Sequence, residues 1–264
     1  MQDDKSLSFL FARLDDLYRS ADQGLLGGTS FLSPRDLHFA KRHLASVGAL
    51  GRTFEFGGYA DAERKKLFIL PEYMDGVKEY REILEYGFES EFSAVEVRGS
   101  GYRSLSHRDF LGSVLGLGLE RSVIGDILVY DEEKPRALII CDVAVSDFIS
   151  GSLTKIGSDT VNTRVVSIDS ITVPERRFSH VTDTVASARL DGVVAAITSL
   201  SRERAKELVA GGFVELDYEP CERPDKVVAP PALITVRGYG KFRINALSDK
   251  TKKGRVRLDA DKFV

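Results

Sequence analysis

The sequence predicts an α+β protein built from three small domains, and three observations carry that expectation. The chain has 264 residues, well beyond one typical domain of roughly 150 residues. Strand-type and helix-type patterns alternate through its middle third. The last third opens on two short helical patterns, and runs of alternating hydrophobicity bounded by glycine and proline follow them. With 43% hydrophobic and 29% charged residues and only 8 prolines, the chain has the apolar mass to fold and lacks the composition of a disordered or fibrous protein.

Residues 1–80 are expected to form an N-terminal α+β domain. Leu7, Leu10, Phe11, Leu14, Leu17 and Tyr18 recur at spacings of three and four, which places one apolar stripe on a helix. Gly27-Gly28-Thr29-Ser30 breaks the pattern, and Ser33-Pro34 announces a second helix, with Ser33 as N-cap and Pro34 at its first position. Gly57-Gly58-Tyr59 marks a turn ahead of a short strand near 67–70. The acids Asp75, Glu79, Glu82, Glu85 and Glu89 then share one helical face, read as a solvated surface relieved by Lys78 and Arg81.

Residues 81–170 read as a strand at 92–97, a helix at 107–117, strands at 124–130 and 137–141, a helix at 142–156 and a strand at 163–168. The order β-α-β-β-α-β is that of the split βαβ arrangement found in ferredoxin-like and RNA-recognition-type domains. The Lys/Arg-Gly-Phe-type strand on which the RNA-recognition version stacks bases is missing, so topology alone does not make this segment an RNA reader. Within it, Ser106-His107-Arg108-Asp109 resembles a kinase catalytic loop only superficially. Phe110 follows the Asp, and Val114 stands where the kinase needs an Asn. A capping box, Ser106 with Asp109 three residues on, is the better reading. Gly112, Gly116 and Gly118 lack phosphate-loop spacing and are expected to let their helix sit close to its sheet.

Residues 171–184 are expected to be a linker, and 185–264 a third domain. Its helices at 190–197 and 202–209 form a hairpin, with Ser201 capping the second and Gly211-Gly212 stopping it. Strands follow at 213–218, 233–237 and 241–247, with an edge strand around Val256 and Leu258.

The net charge of −3 hides an asymmetry. Residues 185–264 carry 15 Lys and Arg against 11 Asp and Glu, net +4, whereas residues 1–184 carry 22 against 29, net −7. Between Arg237 and Arg257 there are eight basic residues (Arg237, Lys241, Arg243, Lys250, Lys252, Lys253, Arg255, Arg257) and one acid, Asp249. Such a run supplies donors for phosphates, and Tyr239 and Phe242 beside it supply rings for a base or sugar face. Arg202 and Lys206, four apart, share a helical face that Arg189 can join. The acidic start Met-Gln-Asp-Asp-Lys does not fit a secretory signal, and no apolar run approaches the roughly 18 residues of a membrane span, so a cytoplasmic location is expected. Cys141 and Cys221 lie far apart, and His38, His43, His107 and His180 lack ligand spacing. No disulfide, metal or other cofactor is expected.

The run Ser187-Ala188-Arg189-Leu190-Asp191, then Ser201-Arg202-x-x-Ala205-Lys206-x-Leu208-Val209-x-x-Gly212-x-Val214, and Val236-Arg237-Gly238-Tyr239-Gly240-Lys241-Phe242, resembles the S4-type RNA-binding domain. Phe31-Leu32-Ser33-Pro34, Gly57-Gly58-Tyr59-x-x-Ala62-Glu63-Arg64-Lys65, His107-Arg108-Asp109-Phe110-Leu111-Gly112, Leu117-Gly118-Leu119-Glu120-Arg121, Ile124-Gly125-Asp126-Ile127-Leu128 and Thr251-Lys252-Lys253-Gly254-Arg255 narrow the likeness. In this order, over nearly the whole chain, they resemble the YlmH family of bacterial S4-domain proteins.

That resemblance implies a non-catalytic, ribosome-associated RNA-binding protein that handles stalled large subunits carrying peptidyl-tRNA, with a link to cell division. Its partners would be ribosomal RNA or tRNA on the large subunit, and the two acidic N-terminal domains would then act as spacers or as surfaces for a protein partner. It carries RNA-facing roles onto Arg189, Asp191, Ser201, Arg202 and Lys206. The basic run adds Arg237, Tyr239, Lys241, Arg243, Lys252, Lys253 and Arg255. Asp191 cannot bind phosphate itself and would orient Arg189 or Arg202, or cap a helix. The chain departs from the family pattern at Val214-Glu215-Leu216-Asp217-Tyr218, where Asp217 would repel phosphates, and at Pro230-Pro231-Ala232, which replaces Gly-Asp. The rival readings are an RNA-modifying enzyme with an appended S4 domain and a cell-division scaffold. A pseudouridine synthase needs a Gly-Arg-Leu-Asp-type loop outside the S4 segment, for which Leu119-Glu120-Arg121 and Asp126 are the nearest surrogates. A methyltransferase needs a glycine-rich cofactor loop, and none is found.

Overall fold

The computed structural model describes residues 2–131, 135–174, 178–250 and 254–263. They gather into two compact units, Met1–Pro174 and Glu175–Val264.

The first unit runs α1 (Gln2–Asp22), β1 (Gly27–Gly28), α2 (Pro34–Ser46), β2 (Thr53–Phe56), β3 (Lys66–Ile69), α3 (Tyr80–Glu85), β4 (Phe92–Gly99), α4 (His107–Leu115), β5 (Ile124–Asp131), β6 (Arg136–Asp142), α5 (Val143–Ser152), β7 (Lys155–Ile156) and β8 (Asp159–Val166). Ser33 caps α2, its hydroxyl accepting from the Asp36 amide at 3.1 Å. Leu14 and Leu17 of α1 and Leu37 and Leu44 of α2 bury the expected stripes against Leu67 and Ile69 of β3, in the antiparallel sheet β1-β3-β2. The central sheet has the order β5-β6-β4-β8-β7, antiparallel throughout. Without the short β7, that is the split βαβ order expected from the sequence. Val95, Val97, Ile139 and Cys141 on one face pack on Phe110 and Val114 of α4 and Ile149 of α5.

The opposite face of that sheet is covered as well, which removes the division expected at residue 80. Phe92, Ala94, Leu138 and Ile140 share one apolar cluster with Phe31, Tyr59, Phe68, Met74, Tyr80 and Ile83. Every residue from Phe92 to Val97 is therefore buried. A strand buried on both faces reads as a continuous apolar run instead of an alternation, and Leu138-Ile139-Ile140-Cys141 is such a run. Lys66, 3% exposed, donates to Glu91 and Asp142, both at 2.7 Å, and so ties β3 to the central sheet.

The motif blocks at 31–34, 57–65, 117–121 and 124–128 converge on this contact. The Asp126 carboxylate accepts from Tyr59 Oη at 2.6 Å and from the Glu63 and Arg64 amides at 2.7 and 3.1 Å. Arg64 donates to the carbonyls of Ile124, Phe31 and Arg121 at 3.0, 2.8 and 3.1 Å. Burial, helped by neighbouring Arg64, pushes Arg121 down to about 10. The nearest surrogate for a synthase aspartate is thus an internal tie. Gly125 sits where a Cβ would come within 2.8 Å of the Phe31 ring and 3.1 Å of Ile140. Gly125→Ala is expected to cost about 1–3 kcal/mol by overpacking, measurable as a lower urea midpoint.

The capping box forms, with the Ser106 amide and hydroxyl donating to Asp109 Oδ2 at 2.9 and 2.7 Å. The glycines of this helix do not have the expected packing role. A Cβ at Gly112 or Gly118 would meet nothing within 4 Å, and Gly118 instead adopts φ +85 where the chain leaves the helix.

The second unit runs β9 (Phe178–Val185), α6 (Leu190–Thr198), α7 (Arg202–Ala210), β10 (Val214–Leu216), β11 (Glu219–Pro220), β12 (Ala232–Val236), β13 (Gly240–Lys250) and β14 (Val256–Phe263). Its antiparallel sheet has the order β11-β10-β12-β13-β14-β9. The expected linker 171–184 is therefore corrected over residues 178–184. They pair in register with β14, from Phe178 opposite Phe263 to Thr184 opposite Arg257. β14 is consequently interior and not an edge strand. Leu190, Val193, Val194, Ala205, Leu208 and Val209 of the helical hairpin cover one sheet face, against Ile234, Phe242, Ile244, Leu258 and Ala260.

Candidate nucleic-acid interface

The hairpin brings three of the expected residues together around one buried acid. Asp191 lies in the first turn of α6 and is 3% exposed. Its carboxylate accepts from Arg189 Nη2 at 3.0 Å, Arg202 Nη2 at 3.3 Å and the Gly192 amide at 2.8 Å. Burial alone would raise this carboxyl. The hydrogen bonds from Arg189 and Arg202, the Arg202 charge and the Gly192 amide outweigh burial and hold it below the usual carboxylate range. The acid thus holds both guanidiniums; the N-cap position of α6 belongs to Arg189, and Asp191 inside the first turn accepts, among backbone amides, only from the adjacent Gly192. Arg189 is half-buried and Arg202 exposed, so both keep donors toward solvent.

Ser201 caps α7, its hydroxyl accepting from the Arg204 amide at 3.2 Å, and this fixes where Arg202 emerges. Lys206 is exposed one turn further along. Arg202 and Arg255 line one recess of about 510 Å³ with Ser187, Gly192 and Ser199, and Asp183 is the acid on its wall. Arg189, Arg202, Lys206 and Arg255 form the basic rim of the hairpin side.

The remaining expected residues lie elsewhere. Along β13, Phe242 and Ile244 point into the core, so the Phe242 ring is not available for stacking. By the strand alternation, Lys241 and Arg243 stand on the face away from the helices. There Arg243 donates to Asp261 at 2.9 Å and to Asn245 at 3.1 Å, and lies 4.9 Å from the Phe178 ring centroid. Lys241 lies 5.4 Å from the Tyr218 ring and 5.2 Å from that of Phe263. Hydrogen bonds from His180, Arg243 and Asn245 hold Asp261 far below the usual carboxylate range. These two cations are largely engaged within their own sheet. Arg237 is exposed in the β12–β13 turn, 5.9 Å from the Phe213 ring, and Tyr239 packs partly on the core. Asp217, at φ +50, accepts from the Leu233 amide at 2.8 Å and so shapes the turn after β10. Lys252 and Lys253 lie outside the described residues. The sequence reasoning missed β9, whose His180 and Phe178 complete the outer face. The β-branched run Val181-Thr182-Asp183-Thr184-Val185 was the available signal.

Among the described residues, no helix is long and apolar enough to cross a membrane, and no group of three or more His, Cys, Asp or Glu could hold a metal ion.

The chain is 31% identical over 231 residues, 87% of its length and 84% of the relative's, to "Ribosome-associated protein quality control protein P2" of Bacillus subtilis (strain 168). Residues 88–170 match the family model described as "Putative RNA-binding domain in YlmH". The chain belongs to the YlmH family. The matched residues of this YlmH-family chain are the central βαββαβ segment. In fold, the chain is similar to the cell division protein ylmH from Streptococcus pneumoniae, with a TM-score of 0.50 and 20% identity over 65% of this chain and 96% of that one.

The Asp191 contacts set a pH dependence. A carboxyl held below its unfolded value contributes stability above that value, about 3.9, and the contribution disappears as pH falls through the depressed one. The melting temperature of Asp191→Asn should therefore lie below the parent's at neutral pH, with the gap closing as pH drops below about 4.

Proposed function

We propose that this chain is an RNA-binding factor that acts on the ribosome by binding and not by catalysis, in the cytoplasm, and that its second unit is an S4-type domain docking on ribosomal RNA or tRNA of the large subunit. The observation that carries this reading is the Asp191-centred pair of Arg189 and Arg202, set at the start of a helical hairpin with Lys206 and Arg255 on its flanks. A buried carboxylate fixes two planar forks at low entropic cost, and such forks match phosphate oxygens. The relative's name, a ribosome-associated quality control protein, supports the same site of action.

Double-helical RNA hides its base edges in a deep groove, so the contacts would be to phosphates and shape. Arg189, Arg202, Lys206 and Arg255 then act as the direct contacts, with Asp191 and Ser201 as positioning residues. Arg237, exposed at the β12–β13 turn beside Tyr239, would be a separate secondary contact, and Lys241 and Arg243, on the outer sheet face and engaged there by Tyr218, Phe263, Asp261 and Asn245, would contribute less. The acidic charge of residues 1–184 fits a protein partner better than a phosphate backbone. Crosslinking followed by sequencing of the bound RNA tests the assignment. Crosslinks from residues 189–206 to ribosomal RNA or tRNA are expected, and their absence from a protein that co-sediments with ribosomes would sink it.

A further inference from the structure

The face of the central sheet that the N-terminal segment covers is only partly closed. Ala94, Leu138, Ile140 and Val166 lie under the cover. Further along the same strands the face turns polar: Glu96 stands opposite Arg164, and Arg98 stands opposite both Arg136 and Asn162. Three adjacent strands, β6, β4 and β8, thus converge three arginines on one acid. The Glu96 side chain is 3% exposed and meets Arg98 Nη2 at 3.1 Å, Arg136 Nη2 at 2.9 Å and Arg164 Nε at 2.5 Å. The arginine side chains stay 59, 49 and 67% exposed. Arg136 also lies 4.9 Å from the Tyr130 ring centroid. Glu96, Arg98, Asn162, Thr163 and Arg164 line a recess of about 220 Å³.

Two features set this cluster apart from a stabilising ion pair. One carboxylate cannot neutralise three guanidiniums, and even with Asp131, which stands opposite Arg136 on β5, counted in, the group keeps a net positive charge. The directly opposed Arg98 and Arg136 are a like-charge cross-strand pair, which by itself weakens a sheet. The construction also repeats the one at Asp191, where a carboxylate 3% exposed holds arginines that keep donors toward solvent. Of the rings near this face, Phe92 and Tyr80 are buried, and half-buried Tyr130 carries Arg136 over its ring and donates its hydroxyl to the Thr172 carbonyl, which makes phosphate contact by the three arginines the main chemistry on offer.

The family match over residues 88–170 already names RNA as the ligand of this segment; we infer that within it Arg98, Arg136 and Arg164, held by Glu96, are the contacting residues and grip the sugar-phosphate backbone without reading bases. This inference rests on the RNA-binding reading above. The test uses the full chain, purified large ribosomal subunits and a labelled 20-nucleotide RNA hairpin as probes. Arg98→Gln with Arg164→Gln leaves Arg136 to satisfy Glu96. Affinity for both probes should fall on the order of tenfold or more. The slope of log affinity against log salt should become shallower by about 1.4–1.8, two contacts at roughly 0.7–0.9 each.

Unchanged affinity and slope, in a series where Arg202→Gln with Lys206→Glu does lose binding, would overturn the role of these arginines and leave the first reading standing. If neither variant changes binding, both readings fall. A loss seen with subunits but not with the hairpin would indicate an acidic protein surface as the partner and would likewise overturn it. Should the double variant not fold, Arg98→Gln alone leaves two arginines on Glu96, and its slope change of about 0.7–0.9 is read in the same way.

Discussion

Replacing Arg202 with glutamine and Lys206 with glutamate is expected to abolish co-sedimentation with ribosomes at moderate salt while the protein stays folded. Arg202 touches the buried Asp191, so a glutamate there would set two carboxylates against each other and confuse a binding defect with a folding one. Glutamine removes the charge without that repulsion, and Arg189 remains to hold Asp191 at 3.0 Å. Lys206 is exposed, and reversing its charge leaves the core untouched. Each lost charged hydrogen bond to phosphate is worth about tenfold in affinity, and the reversed charge adds repulsion, so a loss of at least about a hundredfold is expected. The parent's affinity should itself fall steeply with added salt, because phosphate neutralisation releases counterions. Parent-like sedimentation of the variant would remove the hairpin from the interface.

Asp126→Ala is expected to cause the largest loss of stability in the first unit while leaving the residues of the hairpin rim unaltered. The carboxylate is the acceptor for the Tyr59 hydroxyl and for two backbone amides. Tyr59 is buried, and a buried donor stripped of its partner retains the full cost of desolvation. The sum comes to about 3 kcal/mol. Tyr59→Phe removes one of these bonds and keeps the ring, and should cost about 1 kcal/mol. Urea unfolding followed for both variants checks the ranking. Equal, small effects would mean that the 57–65 and 124–128 segments are not held together by this carboxylate.

Much of the local structure was legible because its causes are local. The split βαβ order follows from the periodicities, and the caps at Ser33, Ser106 and Ser201 follow from single residues at the right spacing. The basic character of the C-terminal segment was a matter of counting. Which of its cations stay free was not, because that depends on strand parity. Phe242 faces the core and Arg243 the opposite side, where Asp261 and Asn245 engage it. The inward direction of the strand could have been read from Phe242 and Ile244, but not the acids waiting on β14.

The same distinction holds for the chain as a whole. By itself the sequence determined the run of β-α-β-β-α-β elements along the middle of the chain, the helical hairpin and the concentration of positive charge after residue 185, since each depends on neighbours within a turn or two or on counting alone. The tertiary structure alone decided that the first 174 residues share one compact unit, that 178–185 is a strand, and that Arg98, Arg136 and Arg164 meet at Glu96. Those outcomes depend on pairings as distant in sequence as Phe178 with Phe263, 85 residues apart, and which sheet face or edge is left to cover is settled only when the strands have assembled.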